Sequence, residues 1–585
     1  MNDLTPEERA VGKDNFHAAI GSEFTRREFL EGTIAAGVVS GAGLGSMYFG
    51  YENSVNRPLR VGFIGTGDEG GVLLGALTPS FLQVVAIADI RPYNVHRAFH
   101  GDHSSENALK VRCGLMTKYG WKSEDAARKH VTVYDGDYHE LLNDKNVEAV
   151  VIALPLHLHA PVAIEAMRAG KHVITEKLMA HSVHECKDMG RVAHQTDKIL
   201  AVGHQRHYSI LYDNAVDTIR SGLIGQIHSI RAQWHRDNLP GHDSWQPPLP
   251  NEVVGELEKL KRDRDKIAAE LQALSETRRA RDREKGARID ALSKKIDQMT
   301  AQVADRTVDA VKYGYQDFKL DPESTARPAI EELIRWRLWN RTGGGLMAEL
   351  GSHQLDAAGI FISGLRKDGQ KALPLNVSAL GHRNIFPLDR ECEDHVYCIY
   401  EFPGPDYDAA LPNPNSKIGV MYSSINGNGF GGYGETVLGT TGTLILEKEQ
   451  EVMLFKNAST MTSVAVKKKK DGGPTLDTTE SNAGPAAIGK AALETGPISR
   501  GYTEELEHWA WCIRNPSPEN LPRCHPKIAL GDAVIALTTN IAMHENRHID
   551  FEHAWFDIDQ DATPEGVKPS VKANAPASSS AKLSG

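Results

Sequence analysis

The chain has 585 residues, with 66 Lys and Arg against 77 Asp and Glu for a formal net charge of -11. This length exceeds one compact core and requires at least two domains, and 40% hydrophobic with 24% charged residues is an ordinary globular balance. The acidic balance argues against a nucleic-acid partner, and Cys113, Cys186, Cys392, Cys398, Cys512 and Cys524 have neither zinc-ligand spacing nor disulfide-scaffold density, so free, buried thiols are expected.

Near the N-terminus, Thr25-Arg26-Arg27-Glu28-Phe29-Leu30 precedes a weakly apolar run of small residues, Gly32 to Gly41. The pattern resembles a twin-arginine export signal, the route that carries folded proteins. Residues 1–50 are therefore expected to be a signal segment, removed or kept as an anchor. That makes the export machinery a partner and a periplasmic or other extracytoplasmic compartment the destination. No other segment has the ~18 apolar residues needed to span a bilayer.

Leu59 to Ile64 then reads as an apolar strand running into Gly65-Thr66-Gly67-Asp68-Glu69-Gly70. In this G-x-G-x-x-G the first glycine permits a tight turn, the second admits a pyrophosphate to the backbone, and the third lets the next helix pack close with its N-terminus toward the phosphates. Asp68 and Glu69 lie inside that cradle. A second apolar run, Gln83 to Ala88, ends on Asp89, at the distance where a carboxylate reaches the adenosine ribose hydroxyls and repels the extra phosphate of NADP. NAD is thus the expected cofactor and NADP the less favoured one. Ile90 and Arg91 complete that corner, and Arg91 keeps some capacity to pair with a phosphate.

The strand and helix rhythm continues through Val131–Tyr134, Val147–Ala153, Lys171–Thr175 and Ile199–Gly203, which predicts a doubly wound parallel sheet, an NAD-binding Rossmann domain over 58–206. From Ile227 the strands lengthen and alternate: Ile227–Trp234, Leu375–Leu380, His395–Phe402, Ile418–Ser424, Glu435–Leu438 and Thr443–Leu446. The fold class is α/β, with a second α+β domain over 207–558 built on a large, mostly antiparallel sheet.

Residues 252–311 interrupt that domain. Leu257, Leu260, Ile267, Leu271 and Leu274 repeat at heptad spacing, as do Ile289, Leu292, Ile296, Met299 and Val303 after a break at Glu284-Lys285-Gly286. This predicts an antiparallel coiled-coil hairpin with arms on the order of 40 Å, serving as spacer, oligomer contact or docking arm. Lys467 to Lys470 and the following stretch to Ser499 read as a solvated loop, and 561–585 as a disordered tail.

Ligands of doubly wound sheets bind beyond the carboxyl ends of the strands. Leu154-Pro155-Leu156-His157-Leu158-His159, Glu176-Lys177 and Gly203-His204-Gln205-Arg206-His207 all fall there. A strand-end lysine near a nicotinamide can share a proton with a substrate oxygen. In the second domain Glu349 and His353 stand four apart with Asp356 beyond, a histidine flanked by carboxylates and hence an oriented, tunable base.

The glycine motif with Asp89, Glu176-Lys177 after a strand, and G-x-H-x-x-D at Gly351 to Asp356 together resemble the glucose-fructose oxidoreductase, inositol dehydrogenase and rhizopine-catabolism family (Gfo/Idh/MocA). The resemblance implies hydride transfer between NAD and a sugar or polyol, with Lys177 and His353 as the catalytic pair and Glu349 and Asp356 beside them. It implies a cofactor site that includes Leu154, Pro155, His159, Glu176 and Lys177. The substrate is expected at Lys177, His204, Arg206, Trp234, Glu349 and His353, with no metal, in a homo-oligomer. Leu178 stands where the family usually has proline, and Glu349 where many members have aspartate. Two other readings remain: redox-neutral, NAD-dependent glycoside cleavage, although the Tyr-Pro-Thr-His stretch typical of those relatives is absent, and a non-catalytic sugar-binding scaffold.

Overall fold

The apolar runs of the N-terminal part form six parallel strands: β1 (Leu59–Ile64), β2 (Leu82–Ala88), β3 (Thr132–Tyr134), β4 (Ala149–Ile152), β5 (His172–Glu176) and β6 (Leu200–Gly203). The structure, a computed structural model, describes residues 4–22, 41–274, 282–366, 368–386, 388–410, 416–469, 472–478, 490 and 500–573. Helices cover both faces of the sheet, so β4 is buried throughout and continuously apolar. The strand order β3-β2-β1-β4-β5-β6 reverses direction between β1 and β4. Chain leaving those two strands diverges and opens a crevice at their carboxyl ends.

The second domain is an eight-stranded sheet of β7 (Ile227–His235), β8 (Asn376–His382), β9 (His395–Pro403), β10 (Lys417–Ile425), β11 (Tyr433–Gly439), β12 (Gly442–Glu447), β13 (Glu451–Lys456) and a two-residue strand, Ile549–Asp550. The order is β13-β12-β11-β7-β10-β9-β8 and then Ile549–Asp550. All pairings are antiparallel except β7 with β10, which is parallel. Strand alternation separates the faces. Along β9, Val396, Cys398, Tyr400 and Phe402 are buried, whereas Tyr397 and Ile399 join Leu380 and Met421 on an exposed face.

The predicted hairpin is present, with arms Val254–Gln272 and Arg283–Ala304. Lys295 pairs with Glu256 at 3.1 Å and Lys285 with Glu270 at 3.4 Å, so the arms are antiparallel. Val253, Leu257, Ile296 and Met299 are buried between them. Arms of 19 and 22 residues measure about 30 Å, shorter than predicted. The expected break at Glu284-Lys285-Gly286 is instead the first turn of the second arm, where Asp282 caps the Lys285 N–H at 3.2 Å. Leu274 ends the described part of the first arm, and 275–281 lie outside the described residues.

The described parts of the expected loop and of the expected tail are ordered. Val464–Lys468 pairs with Pro474–Thr478 as a hairpin, because Val464, Ala465 and Leu476 bury themselves on the second domain; 479–489 and 491–499 lie outside the described residues. The tail is packed as far as residue 573. Lys187 donates to the Ala554, Gln560 and Ala562 carbonyls, Arg191 to Ile558 and Val571, and Asp188 accepts from the Ser570 and Val571 N–H groups. Three charged side chains of one helix thus anchor the tail, alongside the packing of Ile558 and Val571 on the core.

Arg26 and Arg27 lie outside the described residues, but the chain on either side is part of the folded body. Helix Pro6–Ile20 packs on β13, with Phe16 and Ile20 buried, Arg9 paired to Glu447 and Lys13 to Glu451. A Cβ on Gly12 would meet the Phe455 ring at 2.5 Å, so this helix can approach the sheet only at glycine. Downstream, Phe49 packs edge-on to Tyr208, and the Tyr51 hydroxyl donates to Glu507 at 2.7 Å. Five of the cysteines are buried and Cys113 is half-buried, all as free thiols. Among the described residues no helix is long and apolar enough to cross a membrane.

Candidate active site

At the crevice between β1 and β4 the three motif glycines do different work. Gly65 has φ +86°, and a Cβ there would lie 2.3 Å from the Ala153 carbonyl oxygen; a Cβ on Gly70 would lie 2.4 Å from the Gly65 carbonyl oxygen. These two permit the turn and the close helix. A Cβ on Gly67 meets only Asn94 Nδ2, at 3.6 Å. Its open side faces the cleft above the N-terminus of helix Asp68–Ala76, where a pyrophosphate would sit.

The cleft has a volume of about 1150 Å³ and is lined by both domains. That exceeds the roughly 300–1,000 Å³ of small-molecule sites and leaves room for a dinucleotide and a further ligand. Gly65, Gly67, Asp68, Glu69, Asp89, Ile90, Arg91, Leu154, Pro155, His159, Glu176 and Lys177 all line it. The Asp89 carboxylate accepts from the Thr66 N–H at 2.8 Å, the Arg91 N–H at 2.9 Å and Asn94 Nδ2 at 3.1 Å, which locks the ends of β1 and β2 together. Asp68 pairs with Arg97 at 2.6 Å. Arg91 turns to Asp305 at 2.8 Å. The donors and open backbone fit NAD.

Deeper in the cleft, the Lys177 Nζ donates to the Glu349 carbonyl oxygen at 2.8 Å, and the Lys177–Leu178 peptide is cis. His159 lies between two main-chain oxygens, Leu178 at 2.8 Å and Leu154 at 2.9 Å. It therefore clips the β4 and β5 loops together, a supporting role rather than the direct cofactor contact expected. Burial keeps its pKa low despite both carbonyls. Burial together with the charge of Glu69 drives the Glu176 carboxyl well above the usual range, and burial raises Glu69 against the pull of Lys177.

His353 is the second residue of the helix Ser352–Ser363, which directly follows a π-helical turn at Met347–Gly351. Burial, then the charges of Lys177 and Arg206, hold its imidazole far below the usual histidine value, so the ring is neutral. Its Nδ1 is buried with no hydrogen-bond partner among the described residues. The Trp234 ring lies 5.6 Å away, backed by Tyr433 at 4.3 Å. A neutral base, an ammonium and an indole thus converge on one wall of the cleft.

Of the two expected carboxylate flanks, Glu349 stays on the cleft wall and Asp356 does not. Glu349 pairs with Arg337 at 2.8 Å; burial would raise it, but Lys177 and Arg337 outweigh that and keep it ionised. Asp356 is buried off the cleft between His207 at 2.9 Å and Lys371 at 3.0 Å. His204 shares that interior, 3.7 Å from Asp356, with burial lowering its pKa to about 3. Arg206 divides its fork among Glu449, Glu435 and the His353 carbonyl, so it supports the histidine's backbone instead of meeting substrate. Buried charges need opposite partners, so Glu349 takes Arg337, Asp356 takes Lys371 and His207, and Glu435 and Glu449 share Arg206.

Arg236, Trp245, Arg337, Tyr315 and Tyr502 also line the cleft and carry no motif. Only Arg236 left a signal: it stands two residues after Trp234, just past the end of β7.

Residues 59–204 match the family described as the oxidoreductase family, NAD-binding Rossmann fold (Gfo/Idh/MocA). Among curated proteins, inositol 2-dehydrogenase of Salmonella typhimurium is 30% identical over 171 residues, 29% of this chain and 43% of that protein. A 1-carboxy-3-chloro-3,4-dihydroxycyclohexa-1,5-diene dehydrogenase of Comamonas testosteroni is 30% identical over 186 residues, 31% and 39% of the two chains. Alpha-N-acetylgalactosaminidase of Shewanella oneidensis is 29% identical over 192 residues, 31% and 37%. The chain thus spans about two fifths of the length of these relatives. A solved aldose-aldose oxidoreductase from Caulobacter crescentus aligns with TM-score 0.46 and 15% identity, over 85% of this chain and 100% of that one. Residues 59–204 therefore form an NAD-binding Rossmann domain, the part of the chain that this family model matches.

Proposed function

We propose that this protein is an NAD-dependent oxidoreductase acting on a sugar or polyol. The observation that carries this reading is the convergence of neutral His353 and Lys177 on the cleft that holds the glycine cradle. NAD supplies the hydride acceptor when bound. His353, neutral and desolvated, accepts the proton of the substrate hydroxyl on its ring. The Lys177 ammonium, held by the Glu349 carbonyl, donates to the same oxygen as it becomes a carbonyl. Trp234 offers a flat apolar face to the substrate carbons, and Arg236 and Arg337 offer donors for its other hydroxyls.

We further propose twin-arginine export with the cofactor already bound, and a homo-oligomer formed through the exposed face of Leu380, Tyr397, Ile399 and Met421. An exported enzyme keeps its NAD and reoxidises it in place with a second substrate. The test is to quantify NAD in dialysed protein and then follow reduced nicotinamide with a panel of sugars and polyols. Substrate-dependent reduction supports the reading. Absence of any spectral change with every sugar, alongside cleavage of a glycoside, would transfer the site to redox-neutral chemistry.

A further inference from the structure

The insertion between β7 and β8 meets the cleft at its Asp89 end. Helix Arg283–Ala304 lies along helix Pro92–His100, and the contact is polar and buried. Gln298 is 3% exposed. Its side chain accepts from the His103 N–H at 2.6 Å and donates to the Asp102 carboxylate at 3.0 Å and to the Tyr93 hydroxyl at 3.3 Å. Just past the helix, Asp305 is fully buried, takes the Tyr93 N–H at 3.0 Å and pairs with Arg91 at 2.8 Å. Gln298, Met299 and Gln302 line the same cleft as Gly67 and Asp89. A solvated spacer needs none of this, since a buried carboxylate or amide is costly unless fully bonded.

We infer that the inserted hairpin closes the adenosine end of the cleft over the dinucleotide and retains it there, and that Asp305 is a specificity-determining residue that selects NAD over NADP. The acid at the end of β2 marks the ribose of the adenosine half. Arg91, two residues further on, is the cation that a phosphate on that ribose would need. Asp305 occupies its guanidinium and adds a second negative charge beside Asp89, so the extra phosphate of NADP meets two carboxylates and an arginine already engaged. The same bonds fasten the hairpin to the helix that follows Asp89, so the adenosine leaves only when Gln298 and Asp305 let go. This rests on the dinucleotide reading of the cleft and not on the substrate.

The test uses the full chain. Affinities for NAD and NADP are measured by calorimetry, and release of bound NADH by displacement with excess NAD. The variants are Asp305→Asn, Gln298→Ala and, as a control on the exposed first arm, Glu258→Gln. Asp305→Asn should shift the NAD to NADP preference toward NADP by roughly tenfold or more, and both it and Gln298→Ala should speed NADH release by about tenfold, as loss of buried charge-assisted or amide bonds predicts; Glu258→Gln should change neither. Hydrogen exchange on the wild type gives a second readout that needs no variant to fold: amides of Arg283–Ala304 should exchange more slowly with NADH bound. Unchanged release and preference in the folded variants, or exchange that responds to protein concentration but not to NADH, overturns the inference alone. Failure of the wild type to bind NADH overturns the dinucleotide reading beneath it.

Discussion

The Lys177 ammonium donates to the main-chain carbonyl of Glu349 at 2.8 Å, joining the end of β5 in one domain to the turn that leads into His353 in the other. One hydrogen bond thus sets the spacing of the two groups that would share the substrate proton. It also leaves the ammonium two donors for a substrate oxygen.

Replacing Lys177 or His353 by Ala should lower turnover by roughly two decades or more while the bound cofactor survives, the cost typical of losing a general acid or base. The measurement is steady-state kinetics on a confirmed sugar substrate, paired with NAD quantitation. Full activity in both variants would remove them from the chemistry.

The glycines separate folding from binding. Gly65→Ala and Gly70→Ala drive a methyl into backbone oxygen and should unfold the first domain, whereas Gly67→Ala has space in the protein and intrudes only on the pyrophosphate. We expect Gly67→Ala to keep its melting temperature and to weaken NAD by about tenfold or more. Calorimetric titration beside a thermal melt reads both, and tight NAD binding by Gly67→Ala would move the pyrophosphate elsewhere.

Asp89→Ala should weaken NAD and relatively favour NADP, because a ribose acceptor and a repulsive charge vanish together. The loss should exceed that of one hydrogen bond, since the same carboxylate holds the Thr66 and Arg91 amides. Titration with both cofactors checks this, and a wild type that prefers NADP would contradict it.

His204 yields a pH prediction. Its folded pKa is depressed to about 3 by burial, while the unfolded ring titrates near 6.5. The unfolded chain therefore takes up the proton first as pH falls below 6.5, and the contribution of neutral His204 to stability is progressively lost between 6.5 and 3. His204→Gln removes that dependence. The melting-temperature gap between wild type and His204→Gln should shrink by roughly a few degrees on going from pH 8 to pH 5. A gap that is constant across that range would mean the ring is charged in the folded state.

What was legible in the sequence was local. Leu59 to Gly70 and Asp89 announce the cradle because each step depends on the next few residues, and Lys177 follows from ending a strand at the known side of the sheet. Arg206 and Asp356 lie off the cleft although a charged residue near a motif looks available. Whether it faces substrate or is neutralised depends on partners such as Glu449, Arg337 and Lys371, which are distant in the chain. The ordered tail was hidden for the same reason. Its anchors, Lys187, Asp188 and Arg191, lie more than 360 residues upstream on a helix whose own pattern gives no hint of a guest. The hairpin's heptads were visible, but its docking on the cofactor cleft rests on Gln298 and Asp305, two polar residues outside any repeat.

Helix Pro6–Ile20 and the stretch Tyr48 to Tyr51 are each fastened to the body by their own contacts. A single proteolytic cut between these two anchors would therefore not shed the N-terminal helix. It would leave a nicked, two-piece protein, with the short piece seated through Phe16, Ile20 and the Lys13–Glu451 pair against β13, the outermost strand of the large sheet. Stripping that piece away would instead bare the sheet's terminal strand where the helix now covers it.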